Sequence, residues 1–246
     1  MNSSSSYSDS PFEGDPTKRT LQFFWIADYS SSMSGKKIAT LNQAIREAVP
    51  AVKQAASGNA AVSVEMRAIK FSSSASWHIG PTKTPLEQFV WPELSANGGT
   101  STAQAIKLLS DELAVDKMGT RGCPPVCILI SDGFCTDPPS EYEDAIRDLE
   151  ASPWGSKAIR LAIAIGEESD YDEAQLLRFV SHKEIGVLKA KTVDQLVGYI
   201  IWASTAATMG ATSGATNAQG ITGSNSAAPN VQLPTNPTIN PTGLVF

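Results

Sequence analysis

The sequence predicts an α/β protein whose doubly wound, mostly parallel sheet carries helices on both faces and one antiparallel edge strand. Apolar runs alternate with segments of helical periodicity along most of the chain, the pattern typical of open parallel sheets. The runs over residues 126–130 and 159–165 are almost continuously apolar, as strands buried on both faces are. With 246 residues, 41% of them hydrophobic, the chain can build one sizeable core and carry a tail.

The first half of the chain predicts a strand, a helix and a hairpin, in that order. Residues 21–27 form an apolar run that reads as the first strand, and residues 36–56 place apolar side chains at helical spacing. Pro50 is expected to kink or shorten that helix. Residues 62–68 alternate apolar and polar, which predicts a half-buried strand, and residues 75–79 are expected to return antiparallel to it.

The second half predicts helices between the two apolar strands and after them. The four expected helix starts are Ser101, Ser140, Asp170 and Thr192. The last three are followed, three residues later, by Glu or Gln, the spacing of a capping box. A short strand is expected over 185–188, and the final helix is expected to run through Trp202.

The composition divides the chain into three parts. Residues 1–19 are polar and without periodicity, so we expect a flexible segment before a domain over 20–203. Residues 204–246 contain no charged side chain and little apolar surface, so we expect a disordered tail. Its apolar end, residues 243–246, is either an arbitrary terminus or a short docking peptide.

The charge and the apolar runs exclude several classes of function. The net charge is -6 and no stripe of Lys or Arg occurs, which argues against a nucleic-acid surface. No stretch approaches the roughly 20 apolar residues that cross a bilayer, and the first residues lack the apolar centre of a signal peptide. We therefore expect a cytoplasmic protein without membrane insertion.

The three cysteines do not predict a zinc site. Cys123, Cys127 and Cys135 have an irregular spacing, and the middle one falls in an apolar strand where its side chain would point into the core.

Oxygen-bearing side chains follow two of the predicted strands and open one predicted helix. Asp28, Ser30 and Ser32 follow the first strand, Thr100 precedes a helix, and Asp132 follows the strand over 126–130. In open α/β sheets the carboxyl ends of the strands meet at a switch in strand order, where ligands bind. Carboxylate and hydroxyl oxygens suit Mg²⁺ or Mn²⁺ better than Zn²⁺.

The three motifs, D-x-S-x-S, G-G-T-x-T and S-D-G, resemble in this order the metal-ion-dependent adhesion site of von Willebrand factor A domains. The resemblance covers about residues 20–203. It implies that Ser30, Ser32 and Thr100 contact the metal directly or through water, while two aspartates hold waters and orient the hydroxyls. These aspartates are Asp28 and Asp132. The implied metal is Mg²⁺ or Mn²⁺, with Ca²⁺ possible, and an Asp or Glu of a protein partner would fill its open position.

The neighbours of these motifs bear on partner choice. Ser131 stands where many members of the family carry Thr. Tyr29, Met33 and Ser34 are expected to flank the open position and to help select the partner.

Within that family, the chain is similar to bacterial TerY-type proteins of tellurite-resistance and stress clusters. The similarity rests on residues 24–36, 98–102 and 130–133. It implies a non-enzymatic adaptor in a stress-response or phosphosignalling assembly, whose partners would be a PP2C-type phosphatase and a Ser/Thr protein kinase.

The alternative is a metal-assisted hydrolase that uses an open Mg²⁺ site in the same loops. A hydroxyl nucleophile needs a positioned base, and the sequence offers two histidines, His78 and His182, both expected to be packing or solvent-side residues. Residues 30–37 are like a phosphate-binding loop but lack its first glycine and its final Ser/Thr, so nucleotide binding is not expected.

Overall fold

The computed structural model describes residues 18–58, 62–120 and 122–213, with backbone alone for 206–213. The predicted flexible segment, apart from residues 18 and 19, and residues 214–246 of the predicted tail lie outside the described residues. The division of the chain into three parts therefore stays a prediction.

Six strands form one sheet in the order β3-β2-β1-β4-β5-β6. Their bounds are β1 Arg19–Asp28, β2 Val62–Phe71, β3 Ala75–Pro85, β4 Val126–Ser131, β5 Ile159–Ile165 and β6 Leu188–Ala190. All neighbouring pairs are parallel except β2 with β3, which lies at the sheet edge. The predicted class, including its antiparallel edge strand, is confirmed.

Among the described residues, six α-helices accompany the sheet. Their bounds are α1 Lys36–Ser57, α2 Thr102–Glu112, α3 Val115–Met118, α4 Pro139–Ala151, α5 Glu173–Phe179 and α6 Val193–Ser213. Helix α1 continues through Pro50 to Ser57, so the proline does not shorten it. Helix α3 has four residues and is too short for its apolar periodicity to predict it.

Two of the predicted capping boxes are wrong. Helix α4 begins at Pro139, with Pro138 at the N-cap and no side-chain cap hydrogen bond, so Ser140 lies inside the helix. At α5 the cap is Asp172, whose side chain accepts a hydrogen bond from the backbone N–H of Gln175 at 3.0 Å, while Asp170 lies in the preceding 3-10 turn.

The start of α6 agrees with the sequence, but its end does not. The hydroxyl of Thr192 accepts a hydrogen bond from the Gln195 N–H at 3.3 Å, as predicted. The helix then runs to Ser213 rather than ending at Trp202, and β6 occupies 188–190 rather than 185–188. The predicted start of the uncharged tail, at residue 204, therefore does not coincide with the end of the helix.

Both faces of the sheet are buried, because helices cover each of them. Helices α1 and α6 pack on the face that carries Trp25, and α2, α4 and α5 pack on the face that carries Phe24. Cys123 and Cys127 belong to opposite faces, so they cannot share a metal ion. Within the described residues, no helix is long and apolar enough to cross a membrane.

Strand β2 is more buried than its sequence predicts. Its first residues alternate between buried and exposed, but the second half is buried on both sides and includes Arg67. The guanidinium of Arg67 lies 2.6 Å from the carboxylate of Glu112 on α2 and 4.5 Å from the centre of the Phe24 ring. An ion pair thus compensates a buried charge between the sheet and a helix.

Candidate metal centre

The three predicted motifs lie at the carboxyl edge of the sheet, between β1 and β4. These two neighbours mark the switch in strand order, since β2 and β3 extend the sheet on one side and β5 and β6 on the other. Ala27 pairs with Ile130, so the two strands end level with each other. The fold thereby brings Asp28 next to Ser131, at the position where ligands of open α/β sheets bind.

Asp28 is fully buried and organises the first loop. Its Oδ1 accepts a hydrogen bond from the backbone N–H of Ser30 at 2.8 Å, and its Oδ2 accepts one from the hydroxyl of Ser131 at 2.5 Å. The hydroxyls of Ser30 and Ser32 share a hydrogen bond of 3.0 Å. Ser30 is buried and Ser32 exposed, so this pair leads from the interior to the surface.

The surroundings of Asp28 favour its neutral form. Burial raises the pKa of Asp28 from an ordinary value of 3.8 to about 6, although hydrogen bonds from Ser131 and Ser30 lower it, and the negative charge of Asp132 adds to the rise. The negative charge of Asp28 therefore needs more compensation by positive charge than these hydrogen bonds provide. A divalent cation would supply that charge, so the residues present fit a metal ion of this kind.

The second loop is tied to the first by backbone hydrogen bonds. The N–H of Ser31 donates to the carbonyl of Gly98 at 3.0 Å, and the N–H of Asn97 donates to the carbonyl of Tyr29 at 2.8 Å. Gly98 has a φ of +78°, and a Cβ there would lie 2.7 Å from the hydroxyl of Ser73. A glycine is therefore required at this turn.

Thr100 is held by the third loop. Its N–H donates to the hydroxyl of Thr136 at 3.0 Å, and the N–H of Thr136 donates to the carbonyl of Thr100 at 2.9 Å. Thr100 is itself buried, with 3% of its surface exposed. The position of this threonine thus depends on the segment that follows Asp132.

Asp137 is a site residue that the sequence reading missed. Its carboxylate accepts hydrogen bonds from the hydroxyl of Ser101 and from the N–H of Ala103, both at 2.6 Å. It therefore caps α2 from another loop, and α2 begins two residues after Thr100. No spacing rule indicates such a cap, because the carboxylate lies more than 30 residues from the helix it caps.

Asp132 is fully buried, and its main partner is Lys37, which the sequence reading also missed. The ammonium of Lys37 lies 3.0 Å from Oδ2 of Asp132 and donates to the carbonyl of Asp170 at 2.9 Å. The other oxygen of Asp132 accepts a hydrogen bond from the N–H of Phe134 at 3.3 Å. Lys37 lies in the first turn of α1, and its only sequence signal is its place five residues after Ser32.

The rim of the site differs from the prediction. Met33 is fully buried, so it cannot meet a partner, and its assignment as a flanking residue is wrong. Tyr29 is half-buried and Ser34 is exposed. Phe134 is 45% exposed, and its ring centre lies 6.0 Å from the ammonium of Lys37, so it supplies apolar surface beside the site.

The two histidines lie away from these loops. His78 contacts the carbonyl of Pro92 at 2.8 Å and packs against the Trp91 ring. His182 contacts the hydroxyl of Ser181. Ser181 is hydrogen-bonded to Arg160 at the amino end of β5, the edge of the sheet opposite the three loops. Among the described residues, no three His, Cys, Asp or Glu side chains form a metal-binding group. A cation at the three loops would therefore need hydroxyl oxygens as well as carboxylates.

Comparison with known proteins gives one family. The model of the von Willebrand factor type A domain matches residues 24–197. No curated protein matches the chain.

Solved structures share the fold at low sequence identity. A von Willebrand factor type A protein from Catenulispora acidiphila has a TM-score of 0.58 and 15% identity, over 77% of this chain and 43% of that one. The pilus adhesin SpaC from Lactobacillus rhamnosus GG has a TM-score of 0.60 and 14% identity, over 79% and 31%. Proximal thread matrix protein 1 from the mussel byssus, with a zinc-occupied MIDAS motif, has a TM-score of 0.53 and 16% identity, over 76% and 48%. The chain spans less than half the length of each.

Proposed function

Because the chain belongs to the von Willebrand factor type A domain family, whose metal site serves protein interaction, we propose that it is a non-enzymatic adaptor that captures an acidic side chain of a partner protein through a divalent metal ion. The observation that carries this proposal is the presence of two buried carboxylates, Asp28 and Asp132, in the same loops as the hydrogen-bonded hydroxyls of Ser30 and Ser32. Such a set of carboxylate and hydroxyl oxygens suits a divalent cation.

In this proposal, the hydroxyls of Ser30, Ser32 and Thr100 hold the metal directly or through water, and Asp28 and Asp132 hold its waters and orient the hydroxyls. The metal supplies an electrophilic position that accepts a carboxylate. Mg²⁺ is the expected ion, with Mn²⁺ or Ca²⁺ as substitutes, because all five side chains offer hard oxygens. Zinc occupies the motif in the mussel protein, but this site has no thiolate or imidazole ligand among its five residues.

The partner would place an Asp or Glu over the metal and an apolar side chain against Phe134, whose exposed ring borders the site. The resemblance to TerY-type proteins supports a cytoplasmic stress-response or phosphosignalling assembly with a PP2C-type phosphatase and a Ser/Thr protein kinase.

The hydrolase alternative is not favoured, because within the described loops the two buried carboxylates of the site already have partners. Asp28 accepts hydrogen bonds from Ser30 and Ser131, and Asp132 is paired with the ammonium of Lys37. Both histidines have partners elsewhere, so none of these groups is free to take the proton of a metal-bound water.

The test combines direct metal binding with partner capture. Wild type is expected to bind Mg²⁺ in isothermal titration calorimetry and to retain a partner from the source-cell lysate with Mg²⁺ but not with EDTA. The double variant D28A/S30A is expected to lose both. Asp148→Ala is the control, since it removes an exposed carboxylate from α4, outside the three loops, and should change neither. Equal capture under all conditions would contradict the proposal, and so would Mg²⁺ binding by D28A/S30A.

A further inference from the structure

Lys37 joins three segments of the chain at the candidate metal centre. It lies in the first turn of α1, its ammonium is 3.0 Å from the carboxylate of Asp132 after β4, and it donates to the carbonyl of Asp170 after β5. Its side chain is 18% exposed, whereas the carboxylate of Asp132 is not exposed at all. The preceding residue, Lys36, is also a lysine and is exposed to solvent.

This ion pair gives Asp132 a positive partner from the chain itself. A buried carboxylate without a counter-charge is strongly destabilising, and the ammonium removes that penalty. A divalent cation held by Ser30, Ser32 and Thr100 would be a second positive charge close to the same carboxylate. The two cations would repel each other through a partly buried region, where screening by water is weak.

We propose that Lys37 is an internal counter-ion that competes with the metal for Asp132, so that it stabilises the domain without metal and weakens the binding of the metal itself. The inference rests on the proposed function, since it concerns the same site. Its consequence is cooperative binding of metal and partner. The ammonium neutralises negative charge near the metal, and the carboxylate of a partner supplies negative charge again. We therefore expect each of the two to bind more tightly when the other is present.

The test replaces the ammonium with a neutral side chain of similar length. Lys37→Met is expected to lower the Tm in EDTA, because Asp132 loses its partner. It is also expected to raise the gain in Tm on saturation with Mg²⁺, and to lower the Kd for Mg²⁺ by about tenfold in calorimetry. Lys36→Met is the matched control, since it removes an exposed ammonium one residue away and should leave all three values unchanged.

The outcomes separate this inference from the proposed function. If wild type and variants all fail to bind Mg²⁺, the proposed function falls and the inference with it. If wild type binds and Lys37→Met binds with the same Kd, or more weakly, Lys37 does not compete and the inference alone is overturned. If Lys37→Met folds with Mg²⁺ but not in EDTA, the inference is supported. Should it fold in neither, Lys37→Gln, which keeps a neutral hydrogen-bond donor, repeats the Kd comparison with the same expected decrease.

Discussion

At the scale of single residues, Asp28 has the most unusual environment in the site. It is fully buried, and two hydrogen bonds do not fully offset the cost of removing its charge from water. Its raised pKa makes the stability of the domain depend on pH in a direction opposite to that of a salt-bridged carboxylate. The effect can be measured without any partner.

The first prediction concerns the free energy of unfolding in EDTA. Below pH 3.8, Asp28 is protonated in both the folded and the unfolded chain. Between 3.8 and about 6, the folded chain holds a proton that the unfolded chain has lost, so rising pH lowers the free energy of unfolding. Relative to Asp28→Asn, wild type should lose about 2 kcal/mol between pH 4 and pH 7 and little more above that.

Denaturant unfolding of both proteins at a series of pH values measures this difference. The comparison between the two removes contributions from all other groups, which titrate alike in each. A wild type that gains stability relative to Asp28→Asn as the pH rises would contradict the assigned environment of Asp28.

At the scale of elements, the start of α2 shows how loops and helices depend on each other. Thr100 lies two residues before the helix, and the helix is capped by the carboxylate of Asp137 from the loop after β4. Negative charge at a helix N-terminus is favourable, and it also satisfies N–H groups that the helix leaves free. Disturbing this cap should therefore displace Thr100 as well.

The second prediction is that Asp137→Ala lowers the free energy of unfolding by about 1–2 kcal/mol and weakens Mg²⁺ binding. Denaturant unfolding in EDTA measures the first effect, and calorimetry measures the second. Asp148→Ala is the control, because its carboxylate is exposed on α4 and should matter for neither. Unchanged Mg²⁺ affinity together with the expected loss of stability would separate the cap from the site.

The predictions of helix ends failed where neighbours outside the local pattern decided them. Ser140 has the spacing of a cap, but Pro139 already occupies the first position of the helix, after Pro138 at the N-cap, so the helix starts earlier. Helix α6 continues beyond Trp202 because a change in charge content does not end a helix, and its sequence there has no Pro or early Gly to stop it.

At the scale of the whole molecule, the sheet is covered by helices on both faces. Consecutive residues of a central strand therefore belong to two different cores. Ile128 and Leu129 of β4 illustrate this, since both are fully buried, one on the α1 and α6 side and the other on the α2, α4 and α5 side.

The third prediction is that Ile128→Ala and Leu129→Ala destabilise the domain by similar amounts, about 2–5 kcal/mol each. Val115→Ala should cost less than about 0.5 kcal/mol, because Val115 is 40% exposed. Denaturant unfolding of the three variants checks this. A near-neutral result for either strand residue would mean that one face of the sheet is not covered.

The amino-acid sequence alone predicted the alternation of strands and helices, the parallel sheet with its antiparallel edge, and the three motifs at its carboxyl edge. These are local patterns: apolar periodicity reflects burial, and short polar sequences follow strands whose ends a parallel sheet aligns. Three findings came from the folded structure alone. Lys37 neutralises Asp132, and Asp137 caps the helix that follows Thr100. Met33 is buried, whereas Phe134 is exposed. The ion pair of Lys37 joins residues 95 positions apart, and such contacts depend on the relative placement of whole elements, which no local pattern records.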